Sequence, residues 1–173
     1  IGQGGHVDLV GVPGEGVGAV LLKSFKDAVQ DGDNIYAVIK GSAVNHGGLM
    51  HEYMVPNPNA QAQLISKALD IADYHPGTIG YLEAQGIGTE LGDSIEISGL
   101  QKAYREHANE RQYCSIGSVK SNIGHLEAAA GIAGLTKVLL QMKNKQLVPS
   151  LHAEKLNQNI DFVECRIEWP MGF

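Results

Sequence analysis

The sequence predicts an α/β fold with a sheet covered by helices on both sides. Short apolar, partly β-branched runs alternate with segments of helical periodicity, the pattern of a covered sheet. Glycine is abundant, at 22 residues, and gathers in short clusters between those segments, where turns are needed. Several helical segments also carry end signals, among them Asn57-Pro58 and Asp93 followed by Glu96.

Taken in order, residues 17–22 and 35–44 are apolar with turn residues on either side, so both are expected as strands. Between them, residues 24–30 suit a short helix ended by Asp31-Gly32-Asp33. Asn57 is the expected N-cap of a longer helix with Pro58 in its first turn, and Ala60, Leu64, Ala68, Ile71 and Ala72 fall on one face. Residues 80–84 read as a short buried strand. A second long helix is expected from Asp93, whose spacing to Glu96 is that of a capping box ahead of Ile97, Leu100 and Tyr104. Residues 115–119 form a brief strand. The clearest helix is expected over 125–143, with Ala128, Ile132, Leu135, Leu139 and Met142 on one face. Glu127 lies near its positive end, and Lys137 and Lys143 lie toward its negative end.

Composition narrows the function classes. The 173 residues suffice for one domain, and 43% hydrophobic residues argue against disorder. Net charge is −6 and basic residues are dispersed, which argues against a nucleic-acid surface. No apolar run approaches the ~18 residues of a membrane span. The first residues lack the basic and apolar regions of a secretion signal. Two cysteines, Cys114 and Cys165, make no disulfide framework and lack metal-ligand spacing, so a reducing cytoplasm is the expected compartment. His46, His51 and His75 show no ligand spacing either, and are expected on the surface or in loops without a metal. The start without Met and the ending at Met171-Gly172-Phe173 suggest a stretch taken from a longer chain.

Three junctions could carry chemistry. Residues 14–19 match the glycine spacing of a dinucleotide fingerprint, but a strand is expected after them and no suitable acidic residue follows, so a tight turn is the better reading. Gln85-Gly86-Ile87-Gly88-Thr89 joins a strand to a helix; its glycines allow close backbone approach and Thr89 offers a hydroxyl. Residues 117–125 leave a strand, turn through glycine and set His125 at an expected helix start. The positive helix end there would keep the imidazole neutral and available as an N–H donor to an oxyanion or thioester carbonyl. From the residues alone, His125 is either such a donor or a satisfied structural histidine.

The run G-S-V-K-S-N-I-G-H-L-E-A-A-A-G-I-A-G, residues 117–134, resembles the ketosynthase (β-ketoacyl synthase) block with the catalytic lysine and second catalytic histidine. E-A-Q-G-I-G-T-E-L-G-D-S-I-E, residues 83–96, is similar to the block that carries the first catalytic histidine. G-S-A-V-N-H-G-G at 41–48 and V-P-N-P at 55–58 look like two further family segments. The resemblance spans residues 14–165 and identifies 1–173 as a partial ketosynthase domain of a modular polyketide synthase, mainly its C-terminal half, with residues 1–13 poorly matched.

The resemblance implies a thiolase-like layered αβαβα condensing-enzyme fold and a homodimer. A cysteine of the N-terminal portion, absent from this chain, would take an acyl chain from the phosphopantetheine of an acyl carrier protein. No cofactor or metal would be bound directly. His125 matches the second catalytic histidine, Lys120 the lysine that helps organise it, and Thr89 a threonine that binds the pantetheine arm. Glu127 is a candidate partner for Lys120.

Several departures qualify this picture. Gln85 replaces the first catalytic histidine; its amide donates a hydrogen bond but cannot exchange a proton near neutral pH. Ile87 replaces a pantetheine-binding threonine, and Ser94 replaces a proline at a helix start. Neither Cys114 nor Cys165 sits on a strand-to-helix elbow, so both are expected to be structural, and the nucleophile is not in this chain. Three readings follow: a non-elongating ketosynthase that passes an acyl chain onward, an elongating one with an unusual Gln donor, and a non-catalytic scaffold of a megasynthase. Alone, the chain is not expected to condense substrates, and the surface meeting the other half should be apolar.

Overall fold

The computed structural model describes residues 12–48, 56–105, 114–151, 156–161 and 167–168. Residues 1–11, His51, Val55 and Cys165 lie outside them. The described elements are α1 (Phe25–Gln30), α2 (Pro58–Ala72), β1 (Tyr81–Glu83), α3 (Glu90–Arg105), β2 (Cys114–Gly117), α4 (Lys120–Ile123), α5 (Ala130–Asn144) and β3 (Ile167–Glu168), with single 3-10 turns at Pro76–Thr78 and Glu127–Ala129.

Three parallel strands form a sheet in the order β1-β2-β3. Leu82 stands opposite Ile116, and Cys114 opposite Ile167. Parallel neighbours require a crossover, and α3 lies within the one joining β1 to β2. Alternation along β1 assigns its faces. Leu82 packs with Ile97, Leu100, Tyr104 and Ile116 in the core under α3, while Glu83 on the other face reaches Lys137 of α5. Helices therefore cover both faces of the sheet, as the alternation of elements predicts.

The local reasons for the helices are visible. Asn57 accepts hydrogen bonds from the backbone N–H groups of Asn59 and Ala60, and Pro58 needs no such bond. Asp73, in the left-handed region at φ 54°, ends α2. Ser24 caps α1 by accepting from the N–H of Asp27. α2 packs along α3, where Gly99 permits close approach: a Cβ there would lie 2.8 Å from Gln61 Oε1.

Some expectations are corrected. Residues 17–22 and 35–44 form no strands; Val17 is 99% exposed and Leu21 97%. A strand needs an adjacent ladder for its backbone groups, and among the described residues none lies beside these segments. α3 begins at Glu90 rather than Asp93, because Thr89 satisfies its first turn: the Thr89 hydroxyl accepts from Gly92 N–H and its carbonyl from Asp93 N–H. The final helix begins at Ala130 rather than residue 125, since Glu127 adopts a left-handed φ of 50°, which a continuous helix cannot contain.

A groove of about 550 Å³ runs between residues 16–18 and α5, lined in part by Leu126, Ile132, Leu140 and Val148. Among the described residues no helix is long and apolar enough to cross a membrane.

Candidate functional site

β1 and β2 are parallel neighbours, so the segments that leave their C-terminal ends emerge side by side. Residues 85–89 leave β1, and residues 118–125 leave β2. In open α/β sheets this is where ligands bind. The structure thus brings together two of the junctions singled out above.

The first segment is held tightly. Gly86 and Gly88 adopt φ values of 46° and 86°, which L-side chains rarely accept. Glu96 of α3 receives the Gln85 N–H on one carboxylate oxygen at 2.7 Å and the Gly86 N–H on the other at 2.8 Å. Asp93 receives the Gly88 N–H at 3.1 Å. The Asp93/Glu96 pair is therefore no capping box: both carboxylates face the glycine loop instead. Burial raises both carboxyls above their usual range, and the loop N–H bonds oppose the shift.

Lys120 closes the clamp from the other strand. Its Nζ donates to the Gln85 carbonyl oxygen at 2.7 Å and approaches the side-chain Oε1 at 3.4 Å. Lys120 meets Gln85 rather than the suggested Glu127, which is exposed. Burial lowers the Lys120 ammonium below its usual range, opposed by the nearby carboxylates of Glu96 and Glu83. With Oε1 turned toward a cation, the Gln85 amide nitrogen keeps its donors free among the described residues.

His125 is fixed by a different route. Its backbone N–H donates to the Val12 carbonyl at 3.0 Å, and its carbonyl accepts from Gly14 N–H at 2.9 Å. The ring Nδ1 accepts the Glu127 N–H at 2.9 Å. A neutral ring holding that bond carries its proton on Nε2, and so presents a donor. The helix start expected at His125 is corrected: α5 begins five residues later, at Ala130, and the tautomer is set by this backbone hydrogen bond.

Thr89 and Ile87 are half-buried in the same loop; the Thr89 oxygen already accepts from Gly92 N–H, leaving its hydroxyl proton to donate. The glycines at 14, 16 and 18 sit where the chain passes close over residues 123–132. A Cβ on Gly14 would lie 2.5 Å from the Ile123 carbonyl oxygen, and one on Gly18 2.7 Å from Ile132. His46 and His75 accept from Gly48 N–H and Gly77 N–H and shape their own turns. Among the described residues no group of His, Cys, Asp and Glu could hold a metal ion.

Cys114 is fully buried, and burial pushes its thiol up to about 12. The thiolate is the reactive form, so native protein at pH 8 should leave Cys114 unalkylated by iodoacetamide. Peptide mapping after denaturation should find it modified. Rapid native labelling would contradict the burial.

A family model described as beta-ketoacyl synthase, C-terminal domain, matches residues 36–154. The chain belongs to that family. The ketosynthase segment is 61% identical over 162 residues to polyketide synthase PksL of Bacillus subtilis, covering 94% of this chain and 4% of that synthase. It is 60% identical over 151 residues to PksM of the same organism, covering 87% of this chain and again 4% of the relative. It thus spans a small part of the synthases it matches, and is a C-terminal ketosynthase portion of the modular polyketide synthase type.

Solved ketosynthases agree. The ketosynthase from module 1 of the bacillaene synthase of Bacillus amyloliquefaciens superposes with a TM-score of 0.86 at 43% identity, covering 91% of this chain and 29% of that one. The oxazolomycin ketosynthase domain OzmH KS7 of Streptomyces albus gives 0.82 at 50% identity, covering 86% and 26%. The fold is the C-terminal part of the thiolase-like architecture.

Glu83 and Glu96, which hold the ketosynthase loops, were missed as site residues in the sequence. A signal existed for Glu96, an acidic residue nearly two turns into a helix that follows a glycine-rich loop, but the capping-box pattern absorbed it.

Proposed function

We propose that this chain, residues 1–173, is the C-terminal part of a non-elongating ketosynthase domain, which passes a carrier-protein-bound acyl chain onward without decarboxylative condensation. The observation that carries the reading is Gln85, held by Glu96 and Lys120 at the position where the family has its first catalytic histidine. A primary amide donates hydrogen bonds but exchanges no proton near neutral pH.

In this reading a cysteine of the N-terminal portion takes the acyl chain from the phosphopantetheine of an acyl carrier protein. His125 donates from Nε2 to the thioester carbonyl, with Nδ1 occupied by Glu127 N–H. Lys120 holds the Gln85 loop in register. Thr89 meets the pantetheine arm, and Ile87 offers no hydroxyl there. The apolar groove beside α5 seats the rest of the domain, the whole acts as a homodimer, and the compartment is cytoplasmic.

Intact-mass spectrometry of the complete domain, with acyl- and malonyl-loaded carrier proteins, tests the proposal. The expected result is an acyl adduct on the domain and no product longer by two carbons. Extended product at a rate typical of relatives overturns it. The free donors of the Gln85 amide favour one alternative, an elongating enzyme in which they replace those of the imidazole.

A further inference from the structure

Behind the clamp lies a third, mostly buried carboxylate. Glu83, the last residue of β1, accepts the Val119 N–H on Oε1 at 2.6 Å. Its Oε2 accepts the Tyr81 hydroxyl at 2.7 Å and the Lys137 ammonium at 2.9 Å. The Glu83 side chain is 15% exposed and that of Lys137 10%. Lys137 also lies 5.5 Å from the centre of the Tyr81 ring. Gly134 makes room: a Cβ there would come 3.1 Å from Glu83 Cγ.

A buried ion pair is seldom worth its desolvation cost through stability alone. What this one grips is informative. Val119 immediately precedes Lys120, and the Val119 N–H is the backbone group through which the strand β1 side can set where that lysine emerges. β1 thus holds the Lys120 turn at its base through Glu83, while Lys120 Nζ returns to the β1 side at Gln85.

We infer that Glu83 is a positioning residue for Lys120, with Lys137 as the counter-charge beside its carboxylate. The inference rests on the role given to Lys120 above. Its content is that the acceptor on Val119, not the buried charge, is what the site needs.

Two double variants of the complete ketosynthase domain separate these contributions. Glu83→Gln with Lys137→Met removes both charges but keeps an amide oxygen for Val119. Glu83→Leu with Lys137→Met removes the charges and the acceptor; in both variants the Tyr81 hydroxyl loses the carboxylate oxygen to which it donates. Hydrogen exchange over residues 117–124 and the rate of acyl loading are compared below both melting temperatures. The Leu variant should exchange faster there and load about tenfold more slowly, as expected for one unsatisfied N–H, while the Gln variant recovers both. Equal exchange and equal loading in the two would overturn the inference.

If the wild-type domain loads no acyl chain, the proposed function fails, and the exchange data decide the inference alone. Should the Leu variant not fold, Lys137→Met alone, which leaves the carboxylate on Val119, must keep residues 117–124 protected. Loss of protection there overturns the inference.

Discussion

Replacing Gln85 with histidine in the complete ketosynthase domain is expected to raise decarboxylative condensation by about 10²–10³-fold, the usual worth of one donor aimed at developing negative charge. The surroundings are prepared for the exchange. Residue 85 is exposed at its side chain while its backbone is held by Glu96 on one side and Lys120 on the other. A new ring would therefore leave from an already fixed backbone. It would also restore a group that exchanges protons near neutral pH. The readout is product extended by two carbons, measured by intact mass against the parent. A gain below about threefold, with condensation already present in the parent, would assign the amide itself as a competent donor.

Glu96→Ala is expected to cost the domain about 2–4 kcal/mol, the largest stability effect at the site. It strands the N–H groups of Gln85 and Gly86 and removes a counter-charge from Lys120. Hydrogen bonds to a charged acceptor are worth about 1.5–3 kcal/mol each, and partial solvent access trims their sum. Glu96→Gln keeps one acceptor and should lose roughly half as much. Denaturant unfolding of the complete domain measures both. A loss under about 0.5 kcal/mol for alanine would show that water replaces the carboxylate without penalty.

Local signals were the most legible part of this chain. Asn57-Pro58 announced the start of α2, and Ser24 to Gln30 gave α1, because caps and turn residues act through hydrogen bonds within a few residues. The order of motifs around residues 83–96 and 117–134 was equally readable and identified the family. Boundaries were read less well. Asp93 and Glu96 have capping-box spacing, yet their carboxylates bond the loop that leads from β1 into α3 rather than form that box. The apolar residues of 17–22 suggested a strand, but pattern alone cannot supply the neighbour that a ladder requires.

The sequence by itself determined the alternation of strands and helices, the family, and the amide at position 85 where an imidazole is expected. Each is a property of residue identity and near spacing. Only the tertiary structure decided that Lys120 bonds Gln85 rather than Glu127, that Glu83 grips Val119, and that the Glu127 N–H fixes the His125 tautomer. The first two of these contacts join the end of β1, which closes at residue 83, to segments that leave β2 more than thirty residues later. Parallel pairing sets the two strand ends side by side, and burial then requires each polar group there to find a partner within reach.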